Sequence, residues 1–204
     1  MERGAQFTRN FVPSGPPTPS IMRGDMSTMA PLPAPLPAAL ASLRARITAV
    51  FPAQVREAVA KLTDEQLWWR PNESSNSVAN LILHLSGSLN LYLNHNLGGL
   101  DYDRNREQEF AERRPIPRAE LLAIFDGMVA NAVKTFDGLT VDRLGDPSPE
   151  PRQSEIVFQD VIGIAVHLST HVGQILWIAK MLSGGGLDDV WMRAHREQGG
   201  WRRS

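Results

Sequence analysis

The sequence predicts an all-α fold, an antiparallel four-helix bundle preceded by a proline-rich arm. Three observations predict it. Apolar residues recur at helical spacing in four segments of about 20 residues each. No segment alternates apolar and polar residues as a half-buried strand would, and no internal repeat is visible. Clusters of Pro, Gly, Ser and Asn separate the four segments.

Residues 1–37 hold eight of the 15 prolines, at positions 13, 16, 17, 19, 31, 33, 35 and 37. Proline lacks a backbone N–H and keeps its predecessor out of the helical region, so this stretch reads as a disordered, partly polyproline-II arm. The bundle is expected over 38–186. Its first helix spans about 38–62, with Leu40, Leu43, Ile47, Val50, Val55, Val59 and Leu62 on one stripe and Pro52 as a kink or restart. The second spans about 77–97, with Asn76 or Ser77 as N-cap and Gly98–Gly99 as the stop. A short helix is expected near 105–113. The third long helix spans about 118–139 behind Pro117, and the fourth about 155–182, ended by Ser183 and three glycines. The Arg/Gly-rich tail, 187–204, with Trp191 and Trp201, fits no element.

The 204 residues are 42% hydrophobic and 21% charged, enough for one domain with a real core. Twenty-one basic side chains face 22 acidic ones, so no excess charge draws the chain to nucleic acid or an anionic membrane. No run approaching 20 apolar residues and no secretory signal is apparent, and a cytoplasmic location is expected. The absence of cysteine removes disulfides, thiolate zinc sites, iron–sulfur clusters and a cysteine nucleophile. Any thiol chemistry must use a small-molecule thiol. No P-loop and no Ser-His-Asp arrangement appears.

Five histidines occur, at 84, 95, 167, 171 and 195. His167 and His171 are four apart, about 40° around one helix face, a spacing that lets two imidazoles reach one ion. Both lie at the edge of the apolar stripe formed by Val161, Ile164, Leu168, Val172 and Ile175. His84 lies at the matching edge of the stripe formed by Val78, Leu81, Leu85 and Leu89. Two readings remain open on geometry alone: boundary imidazoles, or three neutral ligands converging on an ion with one position free.

Three blocks bear on that choice: Leu67-Trp68-Trp69-Arg70-Pro71-Asn72, the stretch from Asn76 through His84 to Gly87, and His167-Leu168-Ser169-Thr170-His171-Val172-Gly173-Gln174-Ile175. In this order, across roughly 40–182, they resemble the DinB-like superfamily, and more narrowly a branch of uncharacterised bacterial proteins within it. The resemblance implies a four-helix bundle with His84, His167 and His171 as ligands of a divalent ion, zinc or nickel. It also implies a homodimer and, in some members, transfer to or from a low-molecular-weight thiol such as bacillithiol, mycothiol or glutathione. The expected function is a metal-dependent hydrolase or thiol-dependent S-transferase. The alternative is a non-catalytic, metal-braced bundle acting as a stress-response or interaction dimer.

Gln174, on the same stripe, is a candidate to bond a ligand imidazole, or a boundary amide. Asp160 reads as a helix N-terminal carboxylate rather than a ligand partner. Asn80 is a candidate cavity residue. His95 shares the face of His84 but lies about 16 Å along the axis, too far for the same ion. His195 falls in the polar tail. Trp68-Trp69-Arg70 reads as a plug closing one end of the bundle. Arg104, Arg106 and Glu109 form a charged stretch read as a salt-bridge network, with an anion contact by either arginine left open.

Overall fold

The computed structural model describes residues 34–151, 154–187 and 189–190. Most of the proline-rich arm, and His195, Trp191 and Trp201 of the tail, lie outside the described residues. The chain is an all-α helical bundle, and the described residues include no strand, only an isolated bridge between Pro147 and Ile156.

The first rod begins at Pro35, three residues inside the stretch expected to be arm. Helix α1 (Pro35–Ala45) places Pro35 and Pro37 in its first turn, where backbone N–H groups have no intrahelical partner to lose. Pro52 falls in the first turn of a new helical segment, where a restart was expected. A π turn at Arg46–Val50 precedes it, with the Phe51 N–H bonded to the Arg46 carbonyl. Helix α2 (Phe51–Ala60) then continues with helical dihedrals across the junction. The wider turn accommodates the proline ring and its missing donor.

Helix α3 (Asp64–Trp68) is a short element not expected from the periodicity. Thr63 caps it, accepting from the Gln66 N–H while the Gln66 side chain accepts from the Thr63 N–H. Helix α4 (Val78–Leu89) starts from a matching box between Ser77 and Asn80. It passes into a second π turn at Asn90–His95. That turn shifts the helical phase, so the His84 face is not continued to His95. His95 instead bonds the Leu100 carbonyl through Nδ1 at 2.6 Å and closes the helix end.

Helix α5 (Arg106–Ala111) lies in the connection to α6, capped by Asn105. Helix α6 (Arg118–Gly138) follows Pro117, and a 3-10 turn at Val141–Gly145 leads on toward α7 (Val157–Ser183), which stops at Gly184 in a left-handed conformation. The core is built from Ile47, Val55 and Val59 of the first rod, Ile82, Leu85 and Leu89 of α4, Phe125 and Met128 of α6, and Leu168, Val172 and Ile175 of α7. Helix α4 packs on both α6 and α7, α2 packs on α7, and α5 lies on α4. Beyond α7, Leu187 and Val190 are also buried.

The expectation of no bilayer-length apolar run needs correction. Helix α7 reaches a mean hydropathy of 1.5 over 18 residues, enough by length and composition to cross a membrane. A single core helix of a bundle passes the same test, because one stripe must be buried against its neighbours.

Candidate metal centre

His84 projects from the middle of α4, and His167 and His171 from successive turns of α7. One ligating nitrogen from each ring can be chosen so that all lie within 4.8 Å of one another. His84 Nε2 and His167 Nε2 are 3.1 Å apart. Two imidazole nitrogens at about 2.0–2.1 Å from a tetrahedral zinc ion sit about 3.3 Å apart, so this separation fits joint ligation. The ring centroids are 4.6–5.0 Å apart and the rings meet edge to face, which aims their nitrogens inward rather than stacking the rings. The triad can hold a metal ion.

The outward nitrogens of two rings are held by acceptors. His84 Nδ1 donates to Glu109 Oε2 at 2.9 Å, and His171 Nδ1 donates to Gln174 Oε1 at 2.7 Å. Each bond fixes the tautomer in which Nε2 is free to ligate. Arg104 grips Glu109 with both nitrogens, Nε to Oε1 at 2.7 Å and Nη2 to Oε2 at 2.8 Å. The carboxylate and the guanidinium are both buried.

Burial alone would raise the Glu109 carboxyl, but hydrogen bonds from Arg104 and His84, with their charges, outweigh it and hold the carboxyl below its ordinary range. Burial opposes the charge of Arg104 too, yet its bonds to Glu109 raise its pKa. On α7, burial pushes His167 down to about 4, reinforced by the neighbouring His171 and His84. Burial also lowers His171, against the hydrogen bond to Gln174. Both therefore stay neutral, the ligating form, near neutral pH.

The triad faces a cavity of about 410 Å³, lined also by Ser88, Tyr92, Arg104, Arg106, Phe110, Gly163 and Ile164. A neighbouring cleft of about 560 Å³ is lined by Trp69, Pro71, Leu81, Thr170, Gln174, Trp177 and Ile178. Asn76 belongs to both. Leu81 shares the second space with the C-terminal half of α7, while Ser88 and Tyr92 share the first with its N-terminal half. Helices α4 and α7 therefore run antiparallel, with the two spaces in succession along α7.

Several expectations resolve in this geometry. Gln174 bonds a triad imidazole. Asp160 stays in the first turn of α7, accepting from Ser148 Oγ at 2.5 Å. Asn80 does not line the cavity: it is fully buried, and its Nδ2 donates to the Glu109 and Glu112 carbonyls at 3.1 Å each, pinning α5 to α4. Trp68 packs on the core and donates to the Ile116 carbonyl, whereas Trp69 is 36% exposed on the cleft. Arg70 pairs with Glu73. The charged stretch divides: Arg104 and Glu109 form the buried network on His84, and Arg106 lies over the Phe110 ring, 4.9 Å from its centroid. The contact of Glu109 with His84, across 25 residues, was not foreseen.

Residues 39–192 match the model of a family described as a protein of unknown function, DUF1572. No curated protein matches the chain.

Proposed function

The chain belongs to the DUF1572 family, and we propose that it is a metal-dependent enzyme of DinB-like type. In this reading His84, His167 and His171 hold a divalent ion, zinc or nickel, in the wall of a substrate cavity. The observation that carries it is the setting of the triad. Three imidazoles face about 410 Å³ of open space, and among the described residues no further His, Asp or Glu joins the cluster. A site that only braced two helices would be expected to fill its coordination with protein groups.

The ion would supply Lewis acidity and lower the pKa of a water or a small-molecule thiol. The protein's own groups set the stage for that chemistry. Glu109 and Gln174 orient His84 and His171, and Arg104 keeps the Glu109 carboxylate ionised and in place. Phe110, whose ring centroid is 4.6 Å from that of His84, covers one side of the imidazole and excludes water there. With no cysteine in the chain, a thiol nucleophile must come from a co-substrate. We favour thiol-dependent transfer or hydrolysis over the metal-braced interaction bundle on the strength of the open cavity.

The test is metal analysis of the purified protein, followed by a screen of bacillithiol, mycothiol and glutathione against electrophiles and of esters and amides without thiol. One ion per chain, with turnover abolished in His171→Ala, is the expected result. Full metal occupancy with no turnover in any arm would favour the brace.

A further inference from the structure

Two unlike spaces adjoin along α7, sharing Asn76 and separated by the bonded pair His171 and Gln174, and we treat them as the two halves of one groove. One half is walled by Trp69, Leu81, Trp177 and Ile178, with uncharged polar side chains such as Ser74, Thr170 and Gln174 beside them, and carries no charged side chain. Trp177 is 65% exposed and Trp69 36%, so two indoles border a concave space of about 560 Å³. Large exposed aromatics around a concavity of this size mark a ligand-binding surface. The other half holds two guanidinium groups and no carboxylate in its lining. Arg104 is committed to Glu109. Among the described residues no carboxylate pairs with Arg106, whose guanidinium rests on Phe110, itself against His84. A positive charge thus stands one ring away from the triad.

We infer that the groove binds a carboxylate with an apolar, ring-sized body, the body lying between Trp69 and Trp177 and the carboxylate meeting Arg106. This names the substrate class of the site proposed above and rests on that reading for its catalytic meaning. A single planar fork matches a carboxylate, which it can grip through two parallel hydrogen bonds. The apolar half supplies area and stacking, and the arginine sets which end of the ligand points toward the imidazoles. The ligand therefore spans the junction, with its middle atoms nearest the triad.

Binding of 4-phenylbutyrate, 4-phenylbutan-1-ol and butyrate to the purified full-length protein tests this, by calorimetry or tryptophan fluorescence. The acid should bind at least about tenfold more tightly than the alcohol, the effect expected of a hydrogen bond to a charged group. It should also exceed butyrate by about tenfold or more. Arg106→Gln should remove the preference for acid over alcohol and leave the alcohol unchanged. Trp177→Ala, or Trp69→Ala should the first variant fail to fold, should weaken acid and alcohol alike and keep the preference. Survival of the preference in Arg106→Gln overturns the inference; its loss in His171→Ala instead would assign the carboxylate to the ion. Phenylbutyrate binding no better than butyrate, or not at all, overturns it too. If the protein carries no metal, the metal reading fails by itself, because the dependence on Arg106 and Trp177 is still expected in that protein.

Discussion

Gly87 lies one turn after His84 and faces the Glu109 carboxylate. A Cβ added there would stand 2.0 Å from Glu109 Oε1, 2.8 Å from its Cδ and 3.4 Å from the Tyr102 hydroxyl. By helix propensity alone, Gly87→Ala should stabilise α4 by about 1 kcal/mol. The clash is with the end of a flexible side chain, so swinging the carboxylate aside is itself cheap. The cost lies in what the carboxylate leaves: two bonds from Arg104 and one from His84, all between buried groups. Breaking a buried ion pair typically costs about 3–5 kcal/mol. Subtracting the propensity gain leaves a net destabilisation of about 2–4 kcal/mol. Metal affinity should fall as well, by about 10–100-fold, because His84 loses the acceptor that orients it. Urea unfolding and metal titration of wild type, Gly87→Ala, Glu109→Ala and the double variant supply the assay. In the Glu109→Ala background the Gly87 substitution should be neutral or stabilising. If Gly87→Ala alone is as stable as wild type and binds metal equally well, the coupling of Gly87 to His84 through Glu109 is wrong.

Three further outcomes follow from the same geometry. Alanine at His84, His167 or His171 should each abolish stoichiometric metal binding and leave the far-ultraviolet dichroism helical, while His95→Ala should keep full metal; a loss of metal in His95→Ala would contradict its placement at the helix end. Free imidazole titrates near 6.5, so sequence alone suggests that metal affinity falls between about pH 7 and 5. With His167 lowered to about 4 and His171 also lowered, competition from protons at these two ligands should set in at lower pH. The unfolded chain still takes up protons from about 6.5 downward. The contribution of His167 to metal-free stability is thus complete above that pH and is lost as pH falls toward 4. Metal titrations and urea unfolding at pH 7.5, 6, 5 and 4 check both statements: a steep loss of affinity centred at 6.5 would contradict the first, and metal-free stability unchanged from pH 7.5 to 4 the second. Asn80→Ala should cost about 2–3 kcal/mol in urea unfolding, since it strands buried partners on two segments, and hydrogen exchange in α5 should rise; unchanged exchange there would refute its role as the pin.

The four long helices were legible because each must bury one stripe, and a stripe leaves a 3.6-residue period that survives any detail of packing. The triad was legible for the same reason, since all three histidines border those stripes. The π turns were not. Each alters the phase locally while the flanking residues still look helical, which is why His95 was placed on the His84 face. Thr63 and Gln66 spell a capping box, a local signal for α3 that apolar periodicity passes over. Ser77 and Asn80 form another, which explains why Asn80 turns to its own helix end and to α5 instead of to the cavity. Glu109 left no local trace. In a run of charged residues from Arg104 to Arg114 it resembles any solvated carboxylate, and only tertiary folding brings it against His84.

The six-residue helix α5 has a consequence for how this chemistry can be altered. The three imidazoles are anchored in the long helices, but the carboxylate behind His84, the arginine that grips it and the ring that shields it all come from one connecting segment, 104–110. That segment is laid over the frame of long helices and held to α4 by buried bonds. Replacing its few charged positions rewrites the electronic character of the site, and the entrance to it, while every apolar contact between the long helices stays as it is. Reactivity in such a protein would be tuned from outside the bundle, at a cost in stability set by the buried Arg104–Glu109 pair and not by the packing of the long helices.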